Sequence, residues 1–358
     1  MILNQKETFC IWVDSFLGLE YKHKKHLFDG FNGQKIIEYL NGEKKYLVNS
    51  VGESAFNTII QSCNNEYILH LVKQLENKDI TPVTIVSEYY PDELKEIPCP
   101  PLVLYATGNL SLLKSQKITI VGSRKTLPYA LAFAEDLAFN LSKNGLTVVT
   151  GIAEGADESV LSSALKNGKA ISVLAGGFDN IYPRKQTGLS EKVKQQGLLI
   201  SEYPYGTKTE KYHYFARNRI LGGISKATLV VSGGVKSGTN ITAGYADDYS
   251  RQVFAVPYSV NVPSGAGCNA LIKNGATLID CAQDVLSFYG IEVREEKLPP
   301  LDDDELKIYS VLTDGDASFE KLVNACSLPI NKLMTILTML EMKKVIVKNA
   351  GNVYSLVK

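Results

Sequence analysis

A chain of 358 residues with 45% hydrophobic content has the apolar material for real cores, which excludes a disordered protein and leaves room for two or three domains. Its 38 basic and 38 acidic residues cancel, so a polyanion has to be held by a local patch and not by the field of the whole molecule. Six scattered cysteines, with no Cys-x-x-Cys pair and no nearby His cluster, support neither a metal site nor a disulfide framework and point to a reduced, cytoplasmic protein.

The first residues carry acidic and polar side chains within their apolar part, unlike a signal peptide. No run approaches the ~20 apolar residues of a membrane span, so no membrane partner is expected. Residues 1–79 read as a small helical domain, separate from the remainder of the chain. Phe9, Trp12, Val13, Phe16 and Leu17 make one apolar face, Ile36, Ile37 and Leu40 a second, and Ile59, Ile60, Ile68, Leu71, Val72 and Leu75 a third. Gly18, Gly30, Gly33, Gly42 and Gly52 punctuate them as helix stops, and the basic run from Lys22 to His26 reads as a solvated face. Prolines at 82, 91, 98, 100 and 101 then forbid long helices and leave short strands at Val83–Val86 and Leu102–Tyr105.

The stretch Lys117–Asp157 organises the large domain, residues 80–290. Ile118, Ile120 and Val121 form a buried strand that stops at Gly122-Ser123-Arg124-Lys125. Pro128 opens a helix, since a missing N–H costs nothing in the first turn, and Leu131, Ala134, Leu137, Ala138 and Leu141 continue at helical spacing. Leu146–Thr150 is a second strand, ending at Gly151. Strand, helix, strand with short connections is a βαβ unit and predicts parallel pairing. Further strands at Ala170–Leu174, Leu198–Ser201, Ala227–Val231 and Val253–Val256 alternate with helices at Ser159–Asn167, Leu189–Gln196 and Thr239–Tyr249. That alternation predicts an α/β fold, a Rossmann-like doubly wound, mainly parallel sheet.

Parallel strands gather their post-strand loops on one edge, where such sheets bind ligands. Those loops hold Gly122, Ser123, Arg124, Lys125, Gly151, Lys236, Ser237, Gly238 and Thr239, whose small residues expose N–H groups suited to phosphate. The order G-x-G-x-x-G is absent after the first strand, and so is the Walker order around Lys236, so no dinucleotide or other cofactor is expected. Tyr203–Arg219 reads as a surface loop in which aromatic rings alternate with Lys208, Lys211, His213, Arg217 and Arg219. Rings that stack bases, interleaved with cations that take phosphates, are the working parts of a single-strand groove, which makes Lys211, Tyr214, Phe215, Arg217, Asn218 and Arg219 candidates. The bland alternative is that arginines of these loops pair with Asp157 or Glu202 and merely hold the loops together.

These motifs, in this order, resemble the DNA-processing protein A (Smf) family: Tyr90-Pro91-Asp92, Val121-Gly122-Ser123-Arg124, Thr150-Gly151-Ile152-Ala153-Glu154-Gly155-Ala156-Asp157, Ser201-Glu202-Tyr203-Pro204, Arg217-Asn218-Arg219, Ser237-Gly238-Thr239-Asn240 and Gly267-Cys268-Asn269-Ala270. The resemblance spans roughly two thirds of the chain. It implies an extended Rossmann-like domain that binds single-stranded DNA, acts as a homodimer and hands the strand to the RecA recombinase, with residues 1–79 as the family's small SAM-like helical domain. The chain departs from the family's wording at Glu154, where a basic residue is common, at Leu161-Ser162, at Tyr214-Phe215 in place of Phe-Pro, at Ser232-Gly233 and at Tyr258.

A charged break at Glu292, Arg294, Glu295, Glu296 and Lys297, then Pro299-Pro300, precedes residues 301–358. Helices at Leu306–Leu312, Phe319–Ala325 and Ile330–Met342, with a hairpin of Val345–Val347 and Val353–Leu356, resemble a winged-helix domain. Its third helix offers Lys332 alone and the domain lacks arginine, so protein contact or dimer support is expected over groove reading. A nucleotide-hydrolysing enzyme of a related fold is the competing class. It would need a carboxylate soon after Gly238-Thr239, where Asn240, Ile241 and Thr242 stand, so no enzyme is expected.

Overall fold

The computed structural model describes residues 3–16, 19–63, 65–292, 299–343 and 345–356. Leu17, Gly18 and the charged break Arg294–Lys297 lie outside the described residues. Two compact units emerge, residues 1–292 and 293–358.

The first unit begins with six helices: α1 (Gln5–Asp14), α2 (Tyr21–Gly30), α3 (Ile36–Gly42), α4 (Lys44–Val51), α5 (Glu53–Ser62) and α6 (Asn65–Glu76). Asn4 and Glu7 close a capping box on α1, whose Phe9 ring stacks on Phe31 at 4.0 Å. These helices share one continuous core with the large sheet of the same unit, and the Tyr105 hydroxyl donates to Asp14 Oδ2 at 3.1 Å.

Next come β1 (Thr81–Thr84), α7 (Asp92–Lys95), β2 (Val103–Gly108), β3 (Lys117–Val121), α8 (Pro128–Lys143), β4 (Thr147–Thr150), α9 (Ala156–Leu165) and β5 (Ala170–Leu174). They are followed by α10 (Thr187–Gln196), β6 (Leu198–Ser201), α11 (Lys211–Gly223), β7 (Ala227–Val230), α12 (Gly238–Asp248), β8 (Gln252–Ala255), α13 (Ala266–Lys273), β9 (Thr277–Leu278) and α14 (Ala282–Phe288). The nine strands run in the order β1-β2-β6-β5-β4-β3-β7-β8-β9. All pairs from β6 to β9 are parallel, and only β2 runs against its neighbours. The mainly parallel, Rossmann-like sheet expected from the alternation is therefore the observed one. Chain order reverses between β3 and β7, so the switch point lies at the carboxyl ends of those two strands.

Two expectations need correction. The helix expected at Ser159 starts at Ala156, because Gly155 (φ 83°) turns the chain at once and Asp157 and Glu158 then complement the helix dipole. The second half of the expected Tyr203–Arg219 loop is helix α11. Its buried positions His213, Arg217, Ile220 and Leu221 recur at helical spacing, but polar residues at the first two hide the period.

The second unit contains α15 (Asp303–Thr313), β10 (Ala317–Ser318), α16 (Phe319–Cys326), α17 (Ile330–Met342), β11 (Ile346–Asn349) and β12 (Val353–Leu356). Three helices and an antiparallel sheet in the order β10-β12-β11 make a winged helix around Ile308, Leu322, Leu333, Leu337 and Leu340. Asp302 and Glu305 cap α15 reciprocally, and Lys332, the one cation the sequence offered on the third helix, is paired with Asp304.

Candidate nucleic-acid interface

At the switch point the turn after β3, the start of α9, one side of α11 and the start of α12 enclose a cleft of about 440 Å³. Gly122 permits it: a Cβ there would collide with Ala156 and meet Val231 at 2.8 Å, so only glycine lets the β3 turn approach α9 and β7. The Ser123 N–H donates to Ser232 Oγ at 2.9 Å, and the Lys125 N–H to Ser123 Oγ at 3.1 Å. This knots the turn and throws Arg124 and Lys125 outward, both exposed.

Arg217 enters the cleft from α11 and is buried. Its Nη1 donates to the Val173 carbonyl at 3.1 Å, and the Asp157 carboxylate lies close enough across Gly151 to act on its charge, without a hydrogen bond or ion pair between them. Burial pushes the Asp157 carboxyl above its ordinary value, while Arg217 and the backbone of Ala153 and Gly122 pull it down. Burial also holds Arg217 below its usual value against the pull of Asp157. Gly151 fits between them, since a Cβ there would strike Arg217 Nη1 and Asp157 Oδ2. Tyr214, one turn earlier, has its ring centre 5.9 Å from the Arg217 guanidinium carbon; burial lifts its phenol above the ordinary value, and Arg124 and Arg217 pull it back. The Tyr214 oxygen and Arg217 Nε are buried and find no partner among the described residues.

From the other side, Ser237, Gly238 and Thr239 bring the α12 N-terminus to the cleft, with Ser237 and Thr239 hydrogen-bonded to each other. Asn218 Nδ2 donates to the Gly238 carbonyl at 3.4 Å, tying α11 to α12. Lys236 stands exposed beside this turn. Gly122, Ser123, Arg124, Lys125, Tyr214, Arg217, Asn218, Ser237, Gly238 and Thr239 thus line one cleft, with Gly151 beneath it.

Arg219, Phe215 and Lys211 are placed differently. Arg219 lies on another side of α11, in a recess shared with Tyr21, Lys24 and Tyr203, and its guanidinium pairs with Glu202. Burial lifts the Glu202 carboxyl, and Arg219 pulls it back. His213, counted among the cations, is buried, stacked on Tyr203 at 4.0 Å and pushed toward its neutral form by burial. Phe215 and Lys211 are exposed on the outer side of the helix. The bland pairing alternative therefore holds for Arg219, which pairs with Glu202, and not for Arg124. Among the described residues no carboxylate pairs with Arg124. The departure at Glu154 is likewise offset, because Lys185 pairs with it at 2.5 Å.

The Val173 carbonyl was missed as a positioning group, since it lies 44 positions before Arg217 and no local pattern links them; Asp157 was named as a carboxylate for a loop arginine, but not as the one beside Arg217. Tyr182, 59% exposed and lining a small cavity with Arg124 and Tyr214, was missed as well.

A family model described as DNA recombination-mediator protein A matches residues 81–290, and one described as the DprA winged helix domain matches residues 292–352. The DNA processing protein DprA of Bacillus subtilis is 40% identical over 208 residues, covering 58% of this chain and 70% of that protein. The structure of DNA processing protein A from Streptococcus pneumoniae superposes with a TM-score of 0.66 at 27% identity, over 82% of this chain and all of that one. A structure of DNA processing protein A from Helicobacter pylori, described for its single-stranded DNA binding mode, matches at a TM-score of 0.54 and 28% identity, over 59% of this chain and 95% of that one. With the switch-point sheet, the ordered motifs and both family matches in agreement, the chain belongs to the DNA-processing protein A (DprA/Smf) family.

Proposed function

We propose that this protein is a non-enzymatic, cytoplasmic single-strand DNA binder that shelters incoming or exposed strands and loads RecA onto them in transformation and recombination. It acts as a homodimer, with residues 1–79, 80–290 and 301–358 as its functional modules and the winged helix making protein contacts. The observation that carries the binding role is the switch-point cleft. There Arg124 and Lys125 stand exposed, with no carboxylate partner among the described residues, beside Tyr214 and the α12 N-terminus. Phosphates meet cations and N–H groups, and a base meets a ring face, with nothing arranged to read base edges. The single-stranded DNA binding mode described for the Helicobacter pylori relative supports the same reading.

Nucleotide hydrolysis is the weaker reading. Of the described residues lining the cleft, Asp157 is the one carboxylate, and it is buried, under the charge of Arg217 and the backbone of Ala153 and Gly122. Asn240 stands where the related chemistry places an acid, and its amide donates to the Val235 carbonyl at 2.8 Å. Fluorescence anisotropy with single-stranded and duplex oligonucleotides tests the choice. Tighter binding to single strands with a steep salt dependence is expected. Equal or tighter duplex binding would sink the strand reading, and a shallow slope with a mononucleotide ligand would favour the pocket.

A further inference from the structure

We propose that the bound strand leaves the cleft over the outer side of α11, where Tyr212 and Phe215 form a second base-stacking platform and Lys208 and Lys211 hold the adjoining phosphates. The proposal rests on the single-strand reading above and extends it from one cleft to a path.

Tyr212 is 66% exposed and Phe215 54% exposed. Three residues apart on one helix, they are neighbours on its surface, and most of their ring area contributes nothing to the core. The charges beside them are equally idle in folding. Lys211 is the first residue of α11 and Lys208 lies three before it, so both crowd the positive end of the helix dipole. The first turn of α11 contains no acidic residue, and among the described residues no carboxylate pairs with either lysine. Glu202 and Glu210 line the recess around Arg219, which Lys208 and Tyr212 also line; Glu202 is taken by Arg219 and Glu210 is the N-cap of α11, so neither is paired with a lysine of the platform.

Cations at a helix N-terminus and exposed rings are both unfavourable for an isolated fold, and together they are the parts a single strand uses. Continuity comes from the helix itself. Tyr214, on the cleft side, lies between Tyr212 and Phe215 in sequence, so a strand passing from cleft to platform crosses only α11, about 10–12 Å wide with its side chains. A second copy of the chain is a poorer occupant, because two such patches would bring lysines against lysines.

The test compares oligo(dT) of about 4 and about 16 nucleotides, lengths that bracket a minimal and an extended site. The wild type is expected to gain affinity with length. In Tyr212→Ala/Phe215→Ala that gain should shrink by about tenfold or more per ring, as for lost base stacking, with the melting temperature unchanged. Arg124→Ala should weaken both lengths. An undiminished length gain in the double variant would overturn the platform. So would a loss of dimer mass by light scattering with the length gain intact, which would assign the rings to a copy–copy contact. Failure of Arg124→Ala to affect either length would refute the cleft reading itself, whatever the double variant does.

Discussion

Arg124→Ala separates a strand-binding cation from a structural one, and the structure sets the size of each effect. The guanidinium is exposed and pairs with no described carboxylate, so its loss leaves no buried partner orphaned. A surface change of this kind alters stability by at most about 0.5 kcal/mol. One phosphate contact on a single strand contributes about 0.7 to the log–log salt slope. Over a tenfold change in salt that is about a fivefold change in affinity, or about 1 kcal/mol. Arg217→Ala is the contrasting variant. It removes the buried guanidinium that donates to the Val173 carbonyl and the positive charge beside the buried Asp157 carboxylate, and should cost about 1–3 kcal/mol of stability. Anisotropy titrations across a salt series and melting curves on the same preparations give both quantities. A reduced slope with unchanged melting is expected for Arg124→Ala. An unaltered slope would remove Arg124 from the strand path, and a melting loss approaching that of Arg217→Ala would show it to be structural.

Gly151→Ala should lower stability by about 1–3 kcal/mol and weaken strand binding, because its Cβ drives Arg217 and Asp157 apart; calorimetry and anisotropy check it. Deleting residues 301–358 should leave strand affinity within about tenfold, or ~1.4 kcal/mol, since the cleft lies wholly in the first unit; a larger loss would show that the winged helix binds the strand. The Asp304 carboxyl, hydrogen-bonded by Lys307 and Lys332, is held down to about 2 from its ordinary 3.8. A depressed acid adds stability above its unfolded value and loses it as pH falls through the folded one, so the winged helix should weaken between about 3.8 and about 2. An NMR titration should place the Asp304 midpoint near 2 and move it upward in Lys332→Ala.

Much of the architecture was readable without coordinates because its signals are local. Runs such as Ile118–Val121 and Ala170–Leu174 are mostly apolar, with Thr119 and Ser172 buried among them, because both faces of a parallel sheet are covered, and small residues at their ends mark where each strand must turn. Pro128 announced α8, because its missing N–H costs nothing only in the first turn of a helix. The edge on which the ligand loops gather came from parallel pairing alone. The sequence by itself thus determined the fold class, the family and the strip of loops that forms the cleft.

Which cations in that strip face outward was decided only by tertiary structure. Arg217 and Arg219 are two positions apart, but on α11 that spacing is about 200°, so one enters the cleft and the other the recess behind it. The carboxylates beside them, Asp157 and Glu202, come from different loops brought beside α11 by the order of strands in the sheet. Glu202 was taken by Arg219 as an ion pair, while Arg217 was held by the Val173 carbonyl with the Asp157 charge nearby. Arg124, on a turn knotted by Ser123 and Ser232, was left facing solvent. Charge in a sequence says only what is available; pairing across the fold decides what remains for a ligand.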